Sequence, residues 1–270
     1  MAGFNGYDQI ISSIVAGQCD DYWGVKVSGA NTAAGVWHTT WLDSGFPGAG
    51  SAPAATPGTV YNGATNGSIN FANQSPSQRY GLSVGATATQ SMTLWVVDRL
   101  VAVSGLSTAS TGSKTVSSSA IAGRYTSGAG VQAWLEVTTA TTTTAPVVHL
   151  LSYTNQAGST GQVGAQVTFP AAATKLGDMI QLPLQAGDSG VQAVSTLNVD
   201  TASSAGAVNL VLLKPLAAIP LVASQWNERD LVLQLAALPR IFDGANLMLM
   251  FQNTGTTAPT INFRIFSAYN

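Results

Sequence analysis

The sequence predicts an all-β protein, an antiparallel β-sandwich of the jelly-roll type, on three observations. From about residue 79 onward the chain consists of runs of 7–11 residues rich in β-branched and aromatic side chains. Gly, Ser, Thr, Pro or Asn separates one run from the next. Helical periodicity is confined to short stretches, so strands with turn-rich connections account for most of the chain.

A short helix is predicted before the strands. In the segment YDQIISSIVAGQ, apolar residues recur at helical spacing, namely Ile10, Ile11, Ile14 and Val15. Gly17 follows them, and glycine commonly ends a helix. We therefore expect one short helix with a single apolar face.

An extended arm is predicted from residue 29 to about residue 77. Gly, Pro, Ala and Asn dominate this stretch, which has no regular apolar pattern. Isolated large residues interrupt it, namely Trp37, Trp41, Phe46, Tyr61 and Phe71. Because a loop of this length is unusual inside a compact domain, we expect the arm to run over a surface.

The clearest strand is SMTLWVVDRLV, in which the two faces alternate. One face carries Met92, Leu94, Val96 and Leu100, and the other carries Thr93, Trp95, Val97 and Arg99. Further strands are predicted at 131–139, 146–154, 161–169, 190–199, 206–216, 245–253 and 260–269. The segment 224–238 fits either a strand or a helical turn with Leu231, Leu235 and Leu238 on one face.

Two segments of the strand region have similar patterns. The segments that start at Leu82 and Leu197 both contain a strand, a Ser/Thr/Ala turn, a second strand and then a basic residue, Arg99 or Lys214. Duplication, shared hairpin geometry and shared composition each account for this pattern. The predicted organisation is a helix and arm over 1–78, a first β half over 79–175 and a second over 176–270.

The composition indicates a protein that packs against neighbours. Only 8% of the residues are charged, the net charge is −2, and Ser and Thr make up about a fifth of the chain. A surface with so few charges neither steers ligands over long distances nor keeps molecules apart. The few basic residues form no patch, so we expect no nucleic-acid partner. No basic amphipathic helix and no apolar run of about 18 residues occurs, so we expect no membrane partner.

The cysteine content and the first residues favour synthesis in a reducing cytosol. Cys19 has no second cysteine to pair with. The start MAGFNGYDQI has no basic region followed by an apolar core, so no signal peptide is expected.

The sequence contains little that indicates a metal site. Its two histidines, His38 and His149, are far apart in the chain and have no ligand-type residues at the usual spacings. We expect His149 to be a hydrogen-bonded core or half-buried residue of a strand and His38 to be exposed or interfacial. No metal and no cofactor are expected.

Catalytic motifs are absent from the sequence as well. There is no G-x-S-x-G segment at a strand–helix junction and no phosphate-binding glycine loop. A catalytic pair of carboxylates for glycoside hydrolysis is not excluded, because a sequence does not show the distances between side chains. The candidates are Asp98, Glu136 and Asp178. The alternative is that Asp98 and Arg99 hold a turn at the end of a strand. We expect no enzymatic activity.

The aromatic residues of the arm are candidate anchors. Trp37, Trp41 and Phe46 need a surface to pack on, either the β region of the same chain or a partner. A sugar-binding aromatic platform is a third interpretation, although Asp43 and Asn31 supply few polar groups for it.

Several segments resemble virion proteins of tailed bacteriophages. They are WHTTWLDSGFPGAG, LWVVDRL with SGLS, LVLLKPLAAIPL, LPRIFDGANLMLMF and the terminal INFRIFSAY. The resemblance covers most of the chain from about Trp37 and consists of turn and strand-end patterns. It implies an oligomeric β-sandwich protein that decorates or cements a capsid, and it implies no catalytic residues.

The leading hypothesis is a capsid decoration or cement protein located in the virion and made in the host cytoplasm. Its partners would be the major capsid protein and copies of itself. The candidate interface residues are Tyr7, Ile11 and Ile14 in the helix, with Trp37, Trp41 and Phe46 in the arm. The alternatives are a receptor- or carbohydrate-binding β module of a tail fibre or adhesin, and a polysaccharide-degrading enzyme.

Overall fold

The structure is a computed structural model that describes residues 3–29, 31–121, 123–170, 174–234 and 237–270. The helices in these residues are α1 (Tyr7–Val15) and α2 (Leu231–Gln234). The strands are β1 (Cys19–Val27), β2 (Trp37–Thr39), β3 (Ser44–Phe46), β4 (Thr59–Val60), β5 (Arg79–Ala88), β6 (Met92–Ser107), β7 (Gly112–Thr115), β8 (Gln132–Thr139), β9 (Val147–Asn155), β10 (Val167–Thr168), β11 (Asp178–Leu182), β12 (Val191–Thr201), β13 (Ala207–Leu221), β14 (Asn227–Asp230), β15 (Arg240–Ile241), β16 (Leu247–Asn253) and β17 (Thr260–Tyr269).

The predicted all-β class is confirmed. The pairings between these strands are antiparallel. The predicted N-terminal helix is confirmed as α1, and Gly17 after it adopts a φ of 73°, which glycine tolerates better than other residues. No helix among the described residues is long and apolar enough to cross a bilayer.

A six-stranded barrel forms the centre of the molecule. Its strands follow the order β13, β8, β11, β2, β16 and β6, and a pairing of β6 with β13 closes the ring. Side chains fill the interior, as expected for a barrel of this size. The interior cluster contains Trp41, Tyr61, Val97, Ala102, Trp134, Met179, Val211, Leu213, Met248 and Met250.

Two further sheets pack on the outside of the barrel. One has the order β14, β5, β17, β1 and β3, and its core includes Val84, Phe263 and Ile265 against Leu249 and Phe251 of the barrel. The other has the order β10, β9, β12 and β7, and its core includes Leu150 and Leu197. We call these the β1/β17 sheet and the β9/β12 sheet.

The alternation predicted in β6 is found in the structure. Leu94 and Val96 point into the core under the β1/β17 sheet, whereas Val97 points into the barrel. Farther along the strand, Val103 and Leu106 join the core under the β9/β12 sheet. Both faces of the strand are therefore buried, which explains why its sequence is apolar almost throughout.

The described residues of the predicted arm include three short strands. Most of residues 29–77 is irregular, as the sequence predicts, but β2 is a barrel strand between β11 and β16. β3 pairs with β1, and β4 pairs with β6. The arm therefore completes sheets of its own chain in addition to running over them.

The segment 224–238, for which the sequence left two interpretations, contains both elements. β14 pairs with β5, and α2 follows it directly. Leu235 lies outside the described residues. The predicted boundaries of the β halves stay predictions; the sheets combine strands from both, as in the pairings of β5 with β17 and of β6 with β13.

Candidate functional site

Helix α1 packs on the β1/β17 sheet through one face. Ile10 is buried in a cluster with Leu82 and Ala268, and Ile14 packs against the same cluster. Ser13 is also buried. This face attaches the helix to the sheet, so Ile14, one of the predicted interface residues, is half-buried inside the chain.

A second apolar row on α1 lies beside the buried face and is exposed. Tyr7 is 59% exposed, Ile11 58% and Val15 83%. Their spacing of four residues places them in one row along the helix. A row of large apolar side chains on a helix surface is usually covered, so this row, which we call the α1 stripe, is a candidate contact surface.

Phe46, the predicted anchor of the arm, lies on edge strand β3. Its ring is nearly parallel to that of Tyr22, with 5.8 Å between centroids and an interplanar angle of 5°. The residue is 60% exposed. Much of the Phe46 ring therefore contacts no other described residue.

Trp37, the second arm residue, is half-buried at the barrel. Its ring centroid lies 4.4 Å from that of Trp95 and 6.2 Å from that of Trp134. The structure therefore groups three tryptophans from β2, β6 and β8. The predicted interface role of Trp37 stays a prediction.

Trp41 has a different position from the one predicted. It has no exposed surface, its indole Nε1 donates to the Ser51 carbonyl at 3.1 Å, and its ring packs edge-on against Tyr61. A side chain fully enclosed by its own chain cannot touch a partner, so the interpretation of Trp41 as an external anchor is corrected to a core residue. The sequence allowed these rings to pack either on the β region of the same chain or on a partner. Trp41 packs on the β region of its own chain.

The candidate carboxylate Glu136 is sealed in the barrel. Its two oxygens accept hydrogen bonds from Arg99, both at 3.0 Å, and Asn209 donates to one of them at 2.9 Å. Burial by itself raises the pKa of Glu136, but Arg99, Asn209 and Thr39 outweigh it and hold the pKa below its ordinary value. Glu136 is therefore an ionised partner of Arg99.

Asp98, the second candidate, is also enclosed. Arg124 donates to its two oxygens at 2.7 and 2.9 Å, and the Asn246 backbone N–H donates at 3.0 Å. Burial raises the pKa of this carboxyl, and the Arg124 guanidinium opposes that effect. Neither Asp98 nor Glu136 has exposed surface with which to meet a polysaccharide.

The third candidate, Asp178, lies near His38. The distance from His38 Nδ1 to Asp178 Oδ1 is 3.6 Å, and both side chains are almost completely buried. The prediction that His38 is exposed or interfacial is wrong, because β2 places it between β11 and β16. His149 is half-buried as predicted, with Nδ1 2.7 Å from Asp200.

An exposed tryptophan pair that the sequence did not predict lies on the β1/β17 sheet. Trp23 on β1 and Trp226 before β14 stack with 5.5 Å between centroids. Each indole N–H donates to a carboxylate two residues away, Asp21 or Glu228, and Arg264 binds both carboxylates. The sequence indicates this site through a spacing of two residues, between Asp21 and Trp23 and between Trp226 and Glu228. In a strand this spacing places the tryptophan and its carboxylate on the same face.

The chain has low similarity to two solved structures of a viral protein. No protein-family model matches it, and no curated protein sequence matches it. The infectious bursal disease virus VP2 subviral particle is 10% identical over 94% of this chain and 81% of that chain, with a TM-score of 0.17. A mutant VP2 of the same virus is 10% identical over 93% and 77%, with a TM-score of 0.13. Scores this low do not establish a shared fold, so these similarities carry no argument about the chain.

The surface offers contact chemistry in three places. These are the α1 stripe, the Phe46 ring and the tryptophan pair around Arg264. Within the described ranges, no group of three or more His, Cys, Asp or Glu side chains is arranged to hold a metal ion. Aromatic rings and arginine are the residue types that contribute most to binding at protein interfaces.

Proposed function

We propose that the protein is a non-enzymatic structural component of a virion. It would be made in the host cytoplasm and carried on a tailed-bacteriophage capsid as a decoration or cement protein. The observation that carries the proposal is the α1 stripe of Tyr7, Ile11 and Val15, an exposed apolar row beside the face that the helix already buries. Such a row is stabilised when a partner covers it.

The partners in this proposal are the major capsid protein and further copies of the chain. A row of three side chains gives a weak contact by itself. Repetition of that contact over a symmetric shell converts weak single contacts into firm attachment. The low charge of the chain, 8% of its residues, keeps repulsion between neighbouring copies small.

Two further observations support the proposal. The resemblance of segments such as LVLLKPLAAIPL to virion proteins of tailed phages agrees with a capsid location. The enclosure of Asp98 and Glu136 in arginine pairs agrees with a role that requires no catalysis.

The test is co-sedimentation of the purified chain with capsids that lack it. We expect the wild-type chain to pellet with the capsids and the double variant Ile11→Asp, Val15→Asp to stay in the supernatant. The control is Val163→Asp, which places the same charge on an exposed valine far from α1 in the sequence. It should pellet like the wild type.

Equal pelleting of the wild type and the double variant would show that the α1 stripe does not attach the chain. Failure of the wild type to pellet with any capsid preparation would contradict the virion role itself. Circular dichroism of each variant in the free state checks that the fold is retained.

A further inference from the structure

A shallow cavity lies beside the exposed ring of Phe46. Its volume is about 540 Å³, and its wall includes Tyr22, Phe46 and the segment 64–68. Cavities of this size hold small-molecule ligands in many proteins. The cavity lies at the edge of the β1/β17 sheet, whereas the α1 stripe belongs to a separate element.

One side of the cavity is aromatic. Tyr22 and Phe46 stack in parallel there, and Tyr22 is held in turn by Phe71 and Phe263, with centroid distances of 5.9 and 6.1 Å. Phe46 therefore stands on a fixed support while much of its surface is open to solvent. A rigid, open ring of this kind suits a flat ligand that has an apolar face.

The remaining wall is polar but uncharged. It includes Thr65, Asn66 and Asn70. The side-chain oxygen of Asn70 is buried and has no hydrogen-bond partner, and the Asn66 side chain makes no hydrogen bond, both with respect to the described residues. The Asn70 oxygen lies below the surface, so the Asn66 amide is the group that a ligand in the cavity can reach.

The chemistry of this wall excludes several ligand classes. No lysine, arginine, histidine, aspartate or glutamate is among the described lining residues, so a phosphate, a carboxylate or a cation would lack a counter-charge. A wholly apolar ligand would displace water from the Asn66 amide without replacing its hydrogen bonds. A pyranose ring fits both parts of the wall. Its face of C–H groups can pack on the aromatic side, and its hydroxyl groups can form hydrogen bonds with the amide side chain.

We propose that the cavity beside Phe46 binds a neutral saccharide, with one pyranose ring stacked on Phe46 and its hydroxyl groups bonded to the Asn66 amide. The tryptophan pair is the less suitable surface. The two indoles cover one face of each other, and their N–H groups are already donated to Asp21 and Glu228. The inference goes beyond the proposed attachment role and does not depend on it.

The test is saturation-transfer-difference NMR on the free chain with the methyl glycosides of glucose, galactose, mannose and N-acetylglucosamine. Methyl glucuronide serves as the charged comparison. We expect transfer to the ring protons on one face of at least one neutral glycoside and none to the glucuronide. Phe46→Ala should weaken that binding by about tenfold, a change of ~1.4 kcal/mol.

The matched control is Trp226→Ala, which removes a different exposed aromatic ring. It should bind the glycoside like the wild type, and so should the Ile11→Asp, Val15→Asp variant. Absence of transfer to all four neutral glycosides overturns the inference, as does unchanged binding by Phe46→Ala or a loss confined to Trp226→Ala. Loss of capsid attachment with intact glycoside binding would affect the proposed function alone, so the two failures are distinguishable.

Discussion

Arg99 is a fully buried cation in the centre of the barrel. Its guanidinium binds both oxygens of Glu136 and lies 4.6 Å from the centroid of the Trp41 ring and 5.2 Å from that of Tyr61. Two charges removed from water lose much hydration free energy, which their attraction and added hydrogen bonds must offset. The pair therefore matters to stability chiefly because Arg99 or Glu136, buried without the other, would lower the free energy of unfolding.

We predict that Arg99→Met destabilises the protein strongly. The variant leaves the Glu136 carboxylate buried without its partner, which costs about 3–5 kcal/mol of unfolding free energy. The double variant Arg99→Met, Glu136→Gln removes both charges and should lose less than the single variant. Urea unfolding of the three proteins measures this, and an equal or greater loss in the double variant would contradict it.

A second buried cation gives a pH dependence. Lys26 donates to the carbonyl oxygens of Asp43 and Gly48 at 3.2 and 3.1 Å. Burial lowers the pKa of Lys26 from 10.5 to about 8, although the Asp43 charge opposes the shift. Between these values the unfolded chain binds a proton at this lysine and the folded chain does not. The free energy of unfolding therefore rises with pH across this window.

We predict that the urea midpoint of the wild type increases from pH 8 to about pH 9.5 relative to that of Lys26→Met. The variant has no amine to titrate, so this contribution is absent from it. Measurements stay below about pH 10, where tyrosines of the unfolded chain begin to ionise. Parallel pH profiles for the two proteins would show that Lys26 remains protonated in the fold.

At the scale of the element, α1 has two adjacent apolar rows with different roles. Ile10 attaches the helix to the sheet, while Ile11, the next residue, points to solvent. The two side chains have the same size and chemistry. They therefore form a matched pair that separates the internal role of the helix from its external one.

We predict that Ile10→Ala weakens the docking of α1, because it removes buried methyl groups next to Leu82 and Ala268 at a cost of roughly 2–3 kcal/mol. Hydrogen exchange of the amides in residues 7–15 should then accelerate. Ile11→Ala changes an exposed position and should alter the stability of the free chain by less than about 0.5 kcal/mol. Similar exchange rates in both variants would show that Ile10 does not hold the helix.

At the scale of the whole molecule, the barrel is packed between the β1/β17 and β9/β12 sheets. The long strands β6 and β13 contribute side chains to both outer cores and to the barrel interior. The few ionic groups include two arginine–carboxylate pairs that are enclosed. Under the proposed function, ionic contacts would therefore contribute little to attachment.

We predict that attachment to capsids changes little between about 0.1 and 1 M NaCl, over which the Debye length falls from about 10 to 3 Å. Burial of the α1 stripe does not depend on charge, so added salt should leave it intact. The measurement is the pelleted fraction at each salt concentration. Release of the chain at high salt would indicate an ionic interface and would contradict attachment through α1.

The sequence by itself determined the fold class, the helix and most of the long strands. Each of these depends on a local period of apolar residues, as in the alternation around Leu94 and Val96 or the helical spacing of Ile10 and Ile14. A period is a property of neighbours in the chain. It can therefore be found without knowledge of the partner that covers the face.

Only the tertiary structure decided which residues meet across long distances in the chain. The three residues of β2 show no period, yet they complete the barrel because β11 and β16 leave their hydrogen-bonding groups open there. The same pairing buries His38, and the closed barrel encloses Trp41. The cavity beside Phe46 likewise brings together residues 22, 46 and 70. Such contacts depend on packing between distant segments, and no local pattern in the sequence records them.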